Sequence, residues 1–208
     1  MSFDRVAPLY RALERLVFGD QLQQARLAFL EKIERPRRVL IVGEGDGRFL
    51  AECVRRHPRA MIDCVDASAR MIDFARSRSG GPEINFIHAD FSTLSLESDQ
   101  YDLIVAHFFL DCFAGAALCD VVEKLGRAAT HDALWLLSDF RIPDFGWSRL
   151  WARFCIRTMY LFFGLVSGLG TQRLEDPSPG LRSAGFERVS QRLTRGGMIK
   201  SELWRRPA

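Results

Sequence analysis

The chain has 208 residues, of which 48% are hydrophobic and 26% are charged, so it is long enough for one sizeable core and short for two full domains. We therefore expect a single domain over residues 1–208. The formal net charge is only +3, with basic and acidic residues interspersed, which gives no reason to expect a nucleic-acid partner. The five cysteines form no CxxC pair and no zinc-like spacing with the four histidines, so we expect free thiols in a reducing cytoplasm and no metal site.

Two amphipathic patterns precede the first predicted strand. Residues 8–18 and 21–33 space their apolar side chains three and four apart, which predicts two helices separated at Gly19, with Asp20 as the N-cap of the second. Charges begin at position 4, so the uninterrupted apolar segment of a secretory signal is missing. We therefore expect a helical N-terminal segment on a protein that is not exported.

From residue 38 to residue 140, strand patterns alternate with helix patterns. This alternation predicts parallel βαβ units in an open α/β sheet that is covered on both faces. The predicted strands are 38–42, 61–65, 84–88, 101–106 and 133–138, and the predicted helices are 48–56, 69–77 and 114–129.

Polar residues follow the predicted strands at one edge of the sheet. They are the glycine loop 43–47, Asp66, Asp90, the pair Ala106 and His107, and Asp139. Ligands of open α/β sheets bind beyond the carboxyl ends of the strands. Loops are polar in general, but several such residues in register favour a binding rim over that simpler explanation.

The loop Gly43-Glu44-Gly45-Asp46-Gly47 discriminates between cofactors. A dinucleotide fingerprint has the spacing GxGxxG and places pyrophosphate at the helix N-terminus. Here the third glycine comes one position earlier, and the two carboxylates would repel a pyrophosphate, so an NAD-type oxidoreductase is the less favoured alternative. S-adenosylmethionine suits the loop better. This cofactor carries a sulfonium and an ammonium, whose positive charges suit an acidic loop. Its ribose diol suits an acid about 20 residues further on, and its one carboxylate suits the helix N-terminus.

These residues resemble the class I S-adenosylmethionine-dependent methyltransferases over roughly positions 3–140. In that family an (E/D)xGxGxG loop lies under the methionine part of the cofactor. The three glycines match this motif, whereas Ile41 occupies the first position, at which the family usually has an acidic residue. The resemblance implies an enzyme that uses S-adenosylmethionine and releases S-adenosylhomocysteine, with Glu44 or Asp46 as the contact to the cofactor's ammonium.

The second and third strand ends resemble the family's other cofactor motifs. The stretch VDASARMI implies that Asp66 holds the ribose hydroxyls and that Ala67 and Met71 flank adenine. The stretch HADF implies that Asp90 accepts a hydrogen bond from the adenine amino group, with the backbone of Phe91 nearby.

The stretch YDLIVAHFFLDCF resembles the family's fourth strand, whose end at Ala106 and His107 faces the transferred methyl. A carbon, oxygen or amine acceptor has to lose a proton, and His107 and Asp111 are the candidate catalytic bases because they lie one helical turn apart on the rim. Asp139 is a third candidate. Two simpler interpretations stay open, in which His107 is a packed, hydrogen-bonded residue and Asp111 caps the following helix.

Both ends of the chain resemble the ubiquinone and menaquinone C-methyltransferase branch. FDRVAPLYRALERLVFG is similar to its opening, whose helices close over the cofactor, which implies that Tyr10 contacts the methionine end. LRSAGFERVSQRLTRGGMIKSELWRR is similar to its final strand, glycine turn and last antiparallel strand. The implied fold is a Rossmann-like, seven-stranded, mostly parallel sheet with helices on both faces. Its parts are a helical cap (1–35), a cofactor-binding core (36–140), a helical insertion over the acceptor (141–180) and a C-terminal strand pair (181–208).

Residues 147–169 bear on the acceptor. Arg149, Arg153 and Arg157 recur every four residues and form a basic stripe on a helix otherwise covered in Trp, Leu, Phe and Met. The uncharged part after Arg157 is about a dozen residues, shorter than a membrane span of about 20. The segment either lines an apolar pocket or lies at a membrane surface.

Both interpretations of this segment predict an apolar or lipid-like acceptor, in the cytoplasm or on the inner face of the membrane. A phospholipid N-methyltransferase and an inactive binding module of the same fold remain as alternatives.

Overall fold

The computed structural model describes residues 19–79, 81, 83–143, 149 and 174–207. The predicted helix at 8–18, which contains Tyr10, lies outside the described residues. The predicted segment 147–169 lies outside them as well, apart from Arg149, which is exposed.

The described residues form one seven-stranded sheet with the strand order β3-β2-β1-β4-β5-β7-β6. The first five strands are parallel, and β7 runs antiparallel between β5 and β6. This arrangement confirms the predicted mostly parallel sheet with an antiparallel end. The strands are β1 (Arg38–Val42), β2 (Met61–Asp66), β3 (Ile84–His88), β4 (Tyr101–His107), β5 (Ala129–Phe140), β6 (Glu187–Thr194) and β7 (Ile199–Arg205).

Helices cover both faces of the sheet, which explains why the central strands are apolar on both sides. In β1, Val39 and Ile41 are buried on the face that also buries Phe49, whereas Leu40 and Val42 are buried on the opposite face. The helices are α1 (Gln21–Leu27), α2 (Arg48–Arg56) and α3 (Ala69–Ser79) on the first face, and α4 (Ala116–Ala128) and α5 (Ser178–Ser183) on the second.

The second predicted helix is shorter than its periodicity indicates. It ends at Leu27 and is followed by a 3₁₀ turn at Leu30–Lys32, because the turn still buries Leu30 and Ile33 against the sheet. Asp20 is the N-cap residue of this helix, as predicted. Its side chain makes no capping hydrogen bond, and its backbone carbonyl accepts from the amide of Gln24 at 2.9 Å.

Strand β5 is longer than predicted, which changes the position of Asp139. The strand extends through Phe140 because it pairs with β7 up to Ile199, so Asp139 lies inside a strand and not in a loop after it. Asp111 does not cap the following helix, since α4 begins at Ala116 after Gly115, and Asp111 belongs to a 3₁₀ turn at Leu110–Cys112.

The sequence predicts neither a membrane-spanning helix nor a metal site, and the structure bears on these two predictions only for the described residues. None of its helices is long and apolar enough to cross a membrane. Its His, Cys, Asp and Glu side chains form no group of three or more with the placement of metal ligands.

Candidate cofactor site and active site

A cavity of about 350 Å³ opens at the carboxyl ends of β1, β2 and β4. This volume lies in the range of small-molecule sites. The wall is acidic at three points and mostly apolar elsewhere. Its lining includes Arg26, Gly43, Glu44, Gly45, Asp66, Ala67, Met71, Asp90, Phe91, His107, Phe108, Phe109, Cys112 and Phe113. The structure thus gathers most of the predicted site residues around one cavity.

The glycine loop is shaped by two close approaches. Gly43 has φ +65°, and a Cβ there would lie 2.6 Å from Cδ2 of Phe109. Gly47 has φ +82°, and a Cβ there would lie 2.6 Å from Cα of Ala75 in α3. Only glycine fits such positions without strain. Gly47 is not among the lining residues of the cavity, so its role is to let the loop pack on α3.

Glu44 lies at the junction of the loop and α2. Its Oε1 accepts the backbone amides of Phe49 at 3.0 Å and Leu50 at 2.9 Å. Burial raises the pKa of this carboxyl to about 7, against the opposing effect of those hydrogen bonds and of the Arg26 charge. The predicted contact between the helix N-terminus and a cofactor carboxylate is therefore not supported at these two amides, because Glu44 already occupies them.

Asp46, the other acid of the loop, does not line the cavity. Its Oδ1 accepts from Nε of Arg48 at 3.0 Å, and its Oδ2 lies 3.6 Å from the guanidinium of Arg78. The two arginines thus hold Asp46 between α2 and α3. Of the two acids predicted to meet an ammonium, the geometry favours Glu44.

Asp66 ends β2 and binds the loop of β1. Its Oδ2 accepts the amide of Gly45 at 3.0 Å, and its Oδ1 accepts the amide of Ser68 at 2.9 Å. Its carboxylate is thereby oriented at the rim of the cavity. Ala67 and Met71 line the cavity next to it.

Asp90 and Phe91 follow β3 and form another part of the wall. Oδ1 of Asp90 accepts from the amide and the hydroxyl of Ser92, at 2.8 and 2.7 Å, and these hydrogen bonds lower the pKa of Asp90. Nζ of Lys124 donates to the backbone oxygen of Phe91 at 2.6 Å and lies over its ring, 4.8 Å from the centroid. These contacts fix the aromatic edge of the cavity.

His107 ends β4 and is 7% exposed. Neither of its ring nitrogens has a hydrogen-bond partner among the described residues. Its ring packs edge-on against Phe49, with the centroids 4.7 Å apart. Burial, helped by the charge of Arg26, lowers its pKa well below 6.5, so the imidazole is neutral at physiological pH. A hydrogen-bonded packing role, the simpler interpretation of His107, does not fit these unpaired nitrogens.

Two other predicted residues lie away from the cavity wall. Ala106 is fully buried in the core beneath the site. Asp111 is buried and is not among the lining residues, although the neighbouring Cys112 is. The helical spacing predicted between His107 and Asp111 does not exist, because the chain leaves β4 through Phe108 at φ +53° and enters a 3₁₀ turn.

Sequence reasoning missed Arg26, which reaches the cavity from α1. It is nearly buried, and its guanidinium lies 5.3 Å from the centroid of the Phe108 ring. It is the one basic side chain among the described lining residues. A basic residue within an apolar helical face was the available signal.

The aromatic residues after β4 were also missed as site residues. Phe109 packs edge-on against Phe91 and Phe113, with centroid distances of 5.5 and 5.2 Å. Phe108 has a left-handed backbone conformation, which is costly for an aromatic residue and typical of functional sites. The run of phenylalanines after a strand was the signal in the sequence.

Comparison with known proteins identifies the domain. The methyltransferase-domain family matches residues 39–132. The malonyl-[acyl-carrier protein] O-methyltransferase of Halalkalibacterium halodurans is 36% identical over 78 residues, which are 36% of this chain and 29% of that protein. The demethylmenaquinone methyltransferase of Chlamydia pneumoniae is 34% identical over 59 residues, 28% of this chain and 26% of that protein. These matches span less than a third of either relative.

Solved structures share nearly the whole fold. The methyltransferase in a complex with the Haloferax volcanii Trm112 activator has a TM-score of 0.73 at 13% identity, covering 99% of this chain and 98% of that chain. The 1,6-didemethyltoxoflavin-N1-methyltransferase of Burkholderia thailandensis was solved with bound 1,6-didemethyltoxoflavin and S-adenosylhomocysteine. It has a TM-score of 0.69 at 16% identity, covering 99% and 86% of the two chains. At these identities the likeness concerns the fold.

The family match covers the glycine loop and the ends of β1 to β4, which are the elements that form the cavity. Residues 39–132 match the methyltransferase-domain family, and the fold of the chain is that of solved methyltransferases.

Proposed function

We propose that this protein transfers a methyl group from S-adenosylmethionine to a small acceptor with an apolar or aromatic body. The observation that carries the proposal is His107, a buried imidazole on the wall of the cavity whose ring nitrogens have no partner within the described residues. Buried polar atoms without partners are rare, and their presence on a residue that lines a cavity supports a binding role for that residue.

The charges on the cavity wall fit the methionine end of the cofactor. In the proposed complex, Glu44 accepts from the ammonium through the carboxylate oxygen that is not engaged by α2. Arg26 binds the carboxylate of the cofactor. The amides of Phe49 and Leu50 at the start of α2 are already bonded to Glu44, and Arg26 is the one basic residue among the described residues of the wall. Charge-assisted pairs of this kind are the stronger hydrogen bonds of a site.

The far end of the cavity fits the nucleoside. Asp66 is proposed to accept from the ribose hydroxyls and Asp90 from the adenine amino group. Phe91 and Met71 offer apolar surface for the adenine ring. Tyr10, predicted to contact the methionine end, lies outside the described residues and remains part of the proposal only as a prediction.

The protein's contribution to catalysis is proposed to be positioning. Bound S-adenosylmethionine supplies an electrophilic methyl group on a sulfonium, which is a good leaving group. Phe108, Phe109 and Phe113 exclude water and orient an apolar acceptor, and such positioning supplies much of the rate of a two-substrate reaction. The neutral His107 has one unprotonated ring nitrogen, and this nitrogen is able to accept a proton.

The curated relatives methylate different acceptors, and their names do not determine this one. The aromatic wall supports an apolar or aromatic acceptor, as the composition of 147–169 also predicts. Contact of that segment with a membrane surface is a second proposal, and it depends on residues outside the described part.

The test supplies the protein with S-adenosylmethionine labelled in the methyl group together with a lipid extract of the host cell, followed by mass spectrometry. We expect the label in a product that partitions into organic solvent. His107→Ala is expected to slow product formation while leaving S-adenosylhomocysteine affinity within about twofold. The exposed His131→Ala serves as the matched control. Label that appears in water-soluble products alone would contradict the apolar acceptor.

A further inference from the structure

Two buried serines lie side by side on the face of the sheet that α1 covers. Ser138 of β5 and Ser201 of β7 are partners in the antiparallel register, and they are 0% and 2% exposed. The next pair on this face of the two strands is apolar and buried, Leu136 with Leu203. Hydroxyl groups in such surroundings are costly unless each has a hydrogen-bond partner, so the partners of this pair are informative.

Both hydroxyls donate to the same acceptor, which is the backbone carbonyl of Ala25 in α1. Oγ of Ser138 lies 3.0 Å from that oxygen, and Oγ of Ser201 lies 2.9 Å from it. The two hydroxyl oxygens are 3.4 Å apart. The strands β5 and β7 are therefore both bonded to one peptide group of α1.

This peptide group belongs to the last turn of α1, which ends at Leu27. Carbonyls in the last turn of a helix lack the usual intrahelical partner. The carbonyl of Ala25 accepts from the amide of Ala28 at 3.2 Å in addition to the two serines. The apolar contacts of α1, such as those of Leu22 in its cluster with Phe140, are not directional. Hydrogen bonds are directional, so the serines fix where this peptide group lies on the sheet.

The same peptide group leads directly into Arg26, because the carbonyl of Ala25 and the amide nitrogen of Arg26 share one plane. Arg26 is nearly buried and lines the cofactor cavity, and its guanidinium lies 5.3 Å from the centroid of the Phe108 ring. The amide of Phe108 in turn donates to the backbone oxygen of Ser138 at 2.7 Å. Ser138 thus binds the backbone on both sides of this stacked pair, through its hydroxyl and through its carbonyl.

We propose that Ser138 and Ser201 are positioning residues for Arg26, and that they raise the affinity for the amino-acid part of the cofactor. This inference rests on the proposed function, in which Arg26 binds the carboxylate of the cofactor. A charge-assisted hydrogen bond requires the guanidinium to lie within roughly 0.5 Å of its productive position. The serines do not line the cavity, so they act on the cofactor only through the helix that carries Arg26.

A purely stabilising role for the two serines makes a different prediction. It lowers Tm and changes the affinity for every ligand of the cavity alike. A positioning role changes the affinity for S-adenosylhomocysteine, which has the carboxylate, and not that for 5′-methylthioadenosine, which lacks the amino-acid part. The ratio of the two dissociation constants therefore distinguishes the two roles.

Ser79 offers a matched control. It is buried, and its hydroxyl donates to a helix carbonyl, that of Ala75, at 3.1 Å. It lies at the end of α3 and is not among the residues that line the cavity. Ser79→Ala thus removes the same kind of hydrogen bond without moving α1, and we expect it to lower Tm and to leave the ratio unchanged.

The experiment titrates both ligands calorimetrically into the wild type, Ser138→Ala, Ser201→Ala, the double variant and the control. In the double variant we expect S-adenosylhomocysteine to bind about three- to tenfold more weakly and 5′-methylthioadenosine to bind as in the wild type. Each single variant keeps one hydrogen bond to Ala25, so we expect a smaller effect in the same direction. The series is then repeated with Arg26→Met. In that background the serine substitutions are expected to change neither affinity further, because the residue through which they act is gone.

Three results would overturn the inference: an unchanged ratio in the double variant, equal weakening of both ligands, or an undiminished effect of the serines in the Arg26→Met background. If the double variant does not fold, the two single variants decide by the same criteria. A failure of the proposed function has a separate signature, since the wild type would then not bind S-adenosylhomocysteine at all.

Discussion

Glu44→Gln is expected to stabilise the protein at alkaline pH and to weaken cofactor binding. Glutamine keeps the Oε1 that accepts the amides of Phe49 and Leu50, so the start of α2 remains capped. It removes the buried charge and, with it, the proposed partner of the cofactor's ammonium. The two effects have opposite signs, which makes this substitution more informative than a simple loss of function.

The magnitude of the stability change follows from the pKa of Glu44. That pKa is raised from 4.5 to about 7, so the folded protein binds this proton more tightly than the unfolded chain does. Stability therefore falls as the pH rises from about 4.5 to about 7, by up to roughly 3 kcal/mol. Glutamine has no such titration, so the variant is expected to match the wild type near pH 4.5 and to exceed it at pH 8. At about 2–4 °C per kcal/mol, the difference in Tm is several degrees.

The magnitude of the binding change follows from the loss of one charge-assisted hydrogen bond, about 1.5–3 kcal/mol, or roughly 10- to 100-fold in Kd. Calorimetry with S-adenosylhomocysteine measures this change. 5′-Methylthioadenosine, which lacks the amino-acid part, is the control ligand and is expected to bind both proteins equally. Glu97→Gln, at an exposed position, is the control variant. A variant that is no more stable at pH 8 and binds S-adenosylhomocysteine as the wild type does would refute the reasoning.

Further substitutions test other parts of the site. Gly47 has φ +82°, and Gly47→Ala places a Cβ 2.6 Å from the backbone of Ala75. We therefore expect the free energy of unfolding, measured by denaturant titration, to fall by about 2 kcal/mol or more. A decrease of less than about 0.5 kcal/mol would contradict the close approach. Arg26→Met is expected to weaken S-adenosylhomocysteine by roughly tenfold and to leave 5′-methylthioadenosine unchanged, and equal weakening of both ligands would argue against a carboxylate contact. Asp46→Asn is expected to lower Tm through its contacts with Arg48 and Arg78 without changing the Kd of S-adenosylhomocysteine.

The sheet was predictable because local patterns and tertiary structure agree there. The run RVLIV is apolar on both faces from Val39 onward and is followed by the glycine loop, and β1 indeed ends at Val42 with Gly43 at positive φ. The boundaries that failed were those set by distant parts of the chain. Pairing with β7 carried β5 to Phe140, a contact about 60 residues away in sequence that no local pattern encodes.

The candidate site was predictable where a residue ends a strand, as with Asp66 and His107, or closely follows one, as with Asp90. Sequence spacing did not separate Glu44 from Asp46, because which of two neighbouring acids faces a cavity depends on the arginines around them. Arg26 reaches the cavity from a helix that precedes the sheet in sequence, so only the packing of α1 on the folded domain brings it there.

The central claim is that the cavity at the ends of β1, β2 and β4 binds S-adenosylmethionine through Asp66. The most direct measurement is the calorimetric titration of the wild type and of Asp66→Ala with S-adenosylhomocysteine. We predict saturable binding at one site per chain and a loss of binding by at least about tenfold in the variant, because Asp66 holds the amide of Gly45 in the loop and is the proposed acceptor for the ribose hydroxyls. Unchanged affinity in the variant, or no binding to the wild type at millimolar concentration, would contradict the account.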